Sequence, residues 1–403
     1  MSKKVIVLGT GAQGSTIAMR LDEEPNVSRV ICADYNLEAA QRLEQKLTKA
    51  TAVKVDGNNV NEILEASKGA DLIVNGLPPD FNVNLMEAAL EGKMNYQDMA
   101  SGPVEDIDFV GAVKRQLSYD DKFKKADLSA LINTGSAPGL VNVLARNAAD
   151  KFDELEHIDI FVYDSIWTNK FIPFWWSPET AFGDMAAQPI SYENGEYKLG
   201  KPFNNPEMID FMGLGPRRMV DHEHEEPVTF GMFFKGLKSA NFKYGGKACD
   251  FAESLYNMGL LSSEPVEIKG VSITPLDLVC KLTPPAPSDP DAIKEALSEG
   301  MALEEGAAMV RVRGTKSGKP LCIDSYINAP GLTESFEKYG ITHESFITGQ
   351  SAFLFTKLFM HDKLLVKGVF PPEVLGQKTR EYYLKEAAKL GITIEEIQKT
   401  ELV

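Results

Sequence analysis

The stretch from Val5 to Asp34 constrains this chain more than any other. Val5-Ile6-Val7-Leu8 is an apolar run too short for a helix and reads as a strand buried on both faces. It leads through Gly9-Thr10-Gly11-Ala12-Gln13-Gly14 into a segment with helical spacing at Ile17, Ala18 and Leu21. A second apolar run, Arg29 to Ala33, then ends on Asp34. Strand, glycine turn, helix, strand and acid in that order predict the first unit of a dinucleotide-binding fold. Gly9 permits the tight turn, Gly11 lets backbone approach a pyrophosphate, and Gly14 lets the helix pack on the strand. The free N–H groups of the first helical turn, from Ala12 and Gln13 onward, face the anion. A carboxylate at Asp34 accepts from a ribose 2′-hydroxyl and repels a 2′-phosphate, so the expected cofactor is NAD(H), with NADP(H) the alternative.

The alternation continues. Helical spacing at Leu37–Leu47, a strand at Ala52–Val55, a helix at Val60–Ala66 and a strand at Asp71–Asn75 follow in turn. A helix at Asn82–Leu90 and strands at Met94–Asp98 and Ser129–Asn133 complete a doubly wound parallel sheet. Its ligands should lie at the carboxyl ends of the strands. Three turns fall at that edge: Gly9–Gly14, Asn75-Gly76-Leu77-Pro78-Pro79, and Gly135–Gly139.

Near Asp153 the period changes. Ile158–Tyr163 alternates as a half-buried antiparallel strand, and strands are expected at Pro227–Phe234 and Val266–Ile273. A hairpin is expected from Ala308–Arg313 to Pro320–Ile327. With 403 residues the chain exceeds a comfortable single core. The expected division is a Rossmann domain over 1–134 with 346–403, and an α+β substrate and dimerisation domain with a mixed, largely antiparallel sheet over 135–345.

A net charge of −16 argues against nucleic acid or an anionic membrane as partner and hints at a cationic small-molecule substrate. No run approaches the ~20 apolar residues of a membrane span. The four cysteines are scattered without a CxxC pair, and Met-Ser-Lys-Lys passes straight into the first strand, so a cytoplasmic location is expected.

Gly135-Ser136-Ala137-Pro138-Gly139-Leu140-Val141-Asn142 resembles a turn of the saccharopine dehydrogenase-like family, which includes saccharopine reductase, lysine 6-dehydrogenase and carboxynorspermidine dehydrogenase. Asn75–Pro79, Asn95-Tyr96-Gln97-Asp98 and Gly368-Val369-Phe370-Pro371-Pro372-Glu373 are similar to further family segments, whereas Tyr163–Gly306 matches loosely. The resemblance implies hydride transfer between a nicotinamide and a nitrogen-bearing carbon, on an amino acid or polyamine-like substrate, by a homodimer. Pro138, Gly139 and Asn142 are expected to shape the nicotinamide pocket through backbone conformation, with Gly135 and Ala137 also contacting the cofactor and Asn142 the substrate.

Amine oxidation calls for a base titrating near neutrality. Asp221-His222-Glu223-His224-Glu225-Glu226 is the densest set of such groups, and on an extended segment His222, His224 and Glu226 share one side. His224 is the candidate acid/base, Glu226 its orienting partner, and Asp98 the next candidate. A solvated acidic loop and an HxH metal site are the competing readings, and no metal is expected. Arg217 and Arg218 could clamp a substrate carboxylate, and Trp176 in the aromatic segment Phe171–Pro178 could wall the pocket. The alternatives in function are a saccharopine reductase using NADP(H), a non-catalytic NAD(H)-binding sensor, and a hydroxy- or aldehyde-acting dehydrogenase.

Overall fold

The computed structural model of the protein describes residues 2–104 and 107–400 and divides into two compact units. Unit 1 is Met1–Asn147 with Ser345–Ile392, and unit 2 is Ala148–Glu344 with Thr393–Val403. Among the described residues no helix is long and apolar enough to cross a membrane.

Unit 1 is built on strands β1 (Lys3–Leu8), β2 (Val27–Asp34), β3 (Ala50–Lys54), β4 (Leu72–Asn75), β5 (Asn95–Gln97) and β6 (Ser129–Leu131). With the short strand Gly368–Phe370 they form a parallel sheet of seven, in the order Gly368–Phe370, β6, β5, β4, β1, β2, β3. Val5, Ile6 and Val7 have no exposed surface, as a strand covered on both faces requires. The order reverses between β1 and β4, and in such sheets ligands bind outside the carboxyl ends at that reversal.

Unit 2 holds β7 (Glu154–Thr168), β8 (Ile190–Glu193), β9 (Glu196–Leu199), β10 (Glu207–Phe211), β11 (Gly215–Asp221) and β12 (Ser239–Gly245). Beyond these lie the small hairpin β13 (Val266–Ile268) and β14 (Val271–Ile273), then β15 (Met301–Lys316) and β16 (Lys319–Asn328). Counting Gly368–Phe370 of unit 1 as β17, the last strand is β18 (Thr393–Thr400). The main sheet runs β10, β11, β12, β7, β15, β16, β18, with β8 beside β12 and β9 beside β8. Its pairings are antiparallel except β12 with β7.

Three sequence expectations are corrected. Pro227–Phe234 is not a strand: Glu226–Phe233 is a helix, with proline in its first turn, where the missing N–H costs nothing. Val266–Ile273 is two strands rather than one, because Lys269 and Gly270 both have positive φ and reverse the chain. The closing segment pairs along its length with β16 and so belongs to unit 2, whereas the helix Leu140–Ala149 lies largely within unit 1. The hairpins β8–β9 and β10–β11 and the helix Pro178–Ala186 have no counterpart in the sequence reading.

Candidate active site

In unit 1 the first turn is held by close approaches. A Cβ on Gly9, whose φ is +86°, would meet the Gly76 carbonyl oxygen at 2.7 Å, so this glycine lets the turns after β1 and β4 touch. A Cβ on Gly14 would stand 1.8 Å from the Gly9 oxygen, which is why the helix can begin against the turn. Gly11 is different: a Cβ there meets nothing within 4 Å. Its smallness serves no packing within the protein, and it keeps open the space in front of the helix Ala12–Glu23. No side chain caps that helix, so its first N–H groups and positive dipole end are presented outward.

The Asp34 carboxylate, at the end of β2, accepts from the Thr10 N–H (2.7 Å), the Thr10 hydroxyl (2.8 Å) and the Asn36 N–H (2.9 Å). It fronts a cavity of about 380 Å³ lined by Gly9, Asp34, Tyr35, Gly57, Leu77 and Phe81 among others, with no lysine or arginine in the lining. The side chains of Tyr35, Leu77 and Phe81 beside an anchored carboxylate suit an adenine ribose. The Gly11 opening, the uncapped helix and this cavity together fit a dinucleotide, whose chemistry when bound is to give or take a hydride.

The other two turns are tied by buried amides. Asn75 Oδ1 accepts from the Leu77 N–H (2.9 Å) and its Nδ2 donates to Asn82 (2.7 Å), which sets Gly76-Leu77-Pro78. Asp98 is buried, accepting from the Asn133 N–H (2.8 Å) and Gln116 Nε2 (2.6 Å). Burial pushes its carboxyl up to about 7 against those hydrogen bonds. Asn133 has φ +61°, and the Thr134 N–H donates to the Asp98 carbonyl (3.1 Å), so Asp98 holds the approach to Gly135. We read it as a positioning residue, not as the acid/base. Gly135 and Gly139 bridge across the turn that carries Ala137 and a cis Pro138. Asn142 closes it, accepting from the Gly139 N–H (2.7 Å) and donating to Glu373 (2.9 Å). Its amide is therefore engaged by the protein on both sides rather than offered to a substrate.

In unit 2 the segment His222–Glu225 leaves the end of β11 and enters the helix that starts at Glu226. The helical turn swings the Glu226 carboxylate back so that Oε2 lies 2.5 Å from His224 Nδ1, with Glu225 at 3.6 Å. Below, the His224 ring stacks on Phe242 of β12, centroids 3.9 Å apart and planes 9° from parallel. Burial alone would lower the imidazolium, but Glu226, with Glu225 and Asp184, overrides it and holds His224 at about 9. Its neighbour His222 goes the other way. Burial and the charge on His224 push it down to about 3, so it is neutral, its ring 5.3 Å from Tyr244. Burial lifts Glu223 to about 7, with repulsion from Asp184 adding to it, and lifts Asp184 to about 6.

His224, Glu225 and Glu226 are also the one group among the described residues that could surround a metal ion. A 2.5 Å separation is that of a hydrogen bond.

The two arginines are engaged elsewhere. Arg217 grips Glu305 at 3.1 Å through both carboxylate oxygens, and Arg218 pairs with Glu253 (2.9 Å) and Asp250 (3.4 Å). Trp176 lies 6.3 Å from Tyr244 and 5.6 Å from Phe174, while Phe174 and Trp175 are core residues, so the aromatic segment chiefly builds the interior. The sequence reading missed Asp184, Phe242 and Tyr244. Each is an isolated residue brought in by another element, and no local pattern marks it.

Comparison with known proteins agrees with this layout. Residues 5–131 match the saccharopine dehydrogenase NADP-binding domain, and residues 135–392 match the saccharopine dehydrogenase C-terminal domain. A carboxynorspermidine synthase from Vibrio alginolyticus is 24% identical over 392 residues, covering 92% of each chain. A carboxyaminopropylagmatine dehydrogenase from Synechocystis is 23% identical over 401 residues, covering 98% of this chain and 97% of its own. The apo saccharopine dehydrogenase (L-Glu forming) of Saccharomyces cerevisiae shares the fold at a TM-score of 0.71 and 14% identity, over 99% of this chain and 100% of that one. With two matched domains in order over nearly the whole chain and a cradle suited to a nicotinamide dinucleotide, this protein belongs to the saccharopine dehydrogenase family of oxidoreductases.

Proposed function

We propose that the protein reduces a C=N bond with a reduced nicotinamide, forming a secondary amine on an amino acid or polyamine-like carbon skeleton. The observation that carries this reading is the His224–Glu226 pair, in which a buried carboxylate meets the imidazole at Nδ1 and favours its protonated form. The expected base of amine oxidation titrates near 7; a group at about 9 is an acid under the same conditions. In the reductive direction His224 gives its proton to the imine nitrogen as hydride reaches the adjacent carbon. The C=N π pair becomes the new N–H bond, and Glu226 stabilises and orients the ring before transfer. The names of the relatives, a carboxynorspermidine synthase and a carboxyaminopropylagmatine dehydrogenase, favour a polyamine-like substrate. The carboxylate of Asp34 at the end of β2 favours NADH over NADPH.

The test is consumption of NADH or NADPH, followed by absorbance, with imines formed in solution from an aldehyde and an amine or amino acid. His224→Gln should lower turnover by roughly 10²-fold or more while NADH affinity stays the same. Full turnover in that variant refutes the acid role. Tight nucleotide binding without turnover on any imine or amine favours the sensor reading.

A further inference from the structure

One face of the unit 1 sheet is left open at its edge strand. Helices ordinarily cover both faces of a parallel sheet, and β4 is buried along its whole length, yet none of the five residues of β3 is buried. The helix Val60–Ala66 that follows β3 has only seven residues and packs against the helix Asn82–Gly92. Beside it lies a cavity of about 440 Å³ whose apolar lining is Ile31, Val53 and Ala66. A concave site of that volume can hold a small molecule. It shares no residue with the cavity that Asp34 fronts.

Four cations line the same cavity: Lys4, Arg29, Lys54 and Lys68. In a chain with 58 acidic against 42 basic residues, carboxylate partners are plentiful, yet none of the four forms an ion pair with a described residue. Two carboxylates, Glu62 and Glu65, complete the lining, so it carries a net charge of +2 (four minus two). Glu62 is already engaged, accepting from the Asp56 N–H (3.0 Å) and from Asn59 Nδ2 (2.9 Å). Lys54 leans over the Tyr35 ring, 5.1 Å from its centroid. The other three cations come together. Lys4 and Arg29 are register partners on β1 and β2, and Lys4 Nζ donates to the Lys68 carbonyl (2.6 Å). Arg29 Nε donates to the Thr51 hydroxyl (3.2 Å), which fixes the guanidinium and leaves its two terminal nitrogens for a ligand. The Lys68 ammonium has no hydrogen-bond partner among the described residues.

We propose that this cavity is a second ligand site and that it takes an organic phosphate, a phosphomonoester whose oxygens meet Arg29, Lys4 and Lys68. Its carbon body then lies on Ile31, Val53 and Ala66. A fixed guanidinium binds phosphate bidentately, and the two ammonium groups supply donors to the remaining oxygen. A phosphomonoester carries about −1.5 to −2 at neutral pH, which matches the +2 of the lining; a monocarboxylate brings half of that and one oxygen fewer. The apolar lining separates an organic phosphate from the inorganic ion, because only the former buries carbon there. Lys4 and Arg29 lie toward the amino ends of β1 and β2, whereas the dinucleotide cradle is at the carboxyl ends. The occupant is therefore neither the cofactor nor the reacting substrate.

Phosphorus NMR titration of the whole protein with phenyl phosphate, at saturating NADH so that the cradle is filled, tests the site without turnover. The wild type should bind saturably with a Kd of about 1 mM or tighter, and Arg29→Ala/Lys68→Ala should weaken binding at least about tenfold while NADH affinity stays the same. Absence of saturable binding, or binding kept by the variant, overturns the proposal. If the double variant does not fold, Lys68→Glu, at an exposed position after its helix, reverses one charge and should weaken binding by itself. Inorganic phosphate and benzoate should each bind more weakly than phenyl phosphate, and equal binding of either overturns the ligand assignment. Displacement of phenyl phosphate by a lower concentration of hexaglutamate would also overturn it, making the groove a dock for an acidic protein segment.

Discussion

Replacing Glu226 with glutamine would test the proton chemistry most directly. His224 stands at about 9 where an imidazole ordinarily titrates at 6.5, although burial works to lower it. The interval of about 2.5 pH units (9 minus 6.5) corresponds to about 3 kcal/mol at 1.36 kcal/mol per unit, with the Glu226 charge the largest cause opposing burial. Glutamine keeps the shape and can still meet Nδ1, but it brings no charge. His224 should then fall back toward 6.5, with only Glu225 and Asp184 left to oppose burial. Because His224 acts as an acid, the rate holds below its pKa and drops as pH rises through it. The alkaline limb of kcat should therefore move from near 9 in the wild type toward 6.5 in Glu226→Gln, with about fourfold less activity at pH 7 and recovery under mild acid. Proton NMR of the five histidines, with His224→Gln to identify the resonance, follows the same titration without turnover. The folded-state pKa is raised, so the pair's contribution to stability is complete below about 6.5 and lost as pH climbs through about 9. Denaturant melts of wild type and variant should accordingly converge at alkaline pH. A His224 resonance that still titrates near 9 in Glu226→Gln refutes the reasoning.

Gly11→Ala and Gly14→Ala should part company: the first meets nothing within 4 Å and should fold normally yet lose NADH affinity by about 10²-fold. The second drives a Cβ to 1.8 Å from the Gly9 oxygen and should lower the melting temperature as well; a Gly11→Ala protein that binds NADH normally would contradict the cradle. Asp34→Ala should weaken NADH about tenfold and NADPH much less, measured by fluorescence titration, and equal losses would mean that Asp34 does not read the ribose. Asn142→Ala removes hydrogen bonds to the Gly139 N–H and the Glu373 carboxylate, and urea unfolding should show a loss of about 2–4 kcal/mol.

What could be read along the chain was what lies close together along it. The turn at Gly9–Gly14, its helix, β2 and Asp34 all fall within some thirty residues, and each is dictated by apolar period, glycine placement or a strand end. Six strands of the seven-stranded sheet followed from the same alternation, the seventh, Gly368–Phe370, being too short and too distant to show, and the family likeness came from turns at its edge. The His224–Glu226 pairing was also legible, but for the wrong geometric reason. An extended segment puts the two on one side, whereas in the structure a helix beginning at Glu226 folds the carboxylate back. Proline after Glu226, read as part of a strand, was the available signal for that helix.

The amino-acid sequence by itself determined a dinucleotide-binding unit, an acid at the end of its second strand and a second unit of different architecture, because those depend on local backbone preference and burial period. Only the tertiary structure decided the electrostatics. It tied Arg217 and Arg218 to Glu305, Glu253 and Asp250, sank Asp98 and Asn142 into hydrogen bonds, and laid Phe242 beneath His224. It also set Asp184, some forty residues earlier in the chain, against Glu223 and His224. A side chain's charge state and free valence depend on what other elements bring against it, and that information is not carried by its neighbours in sequence.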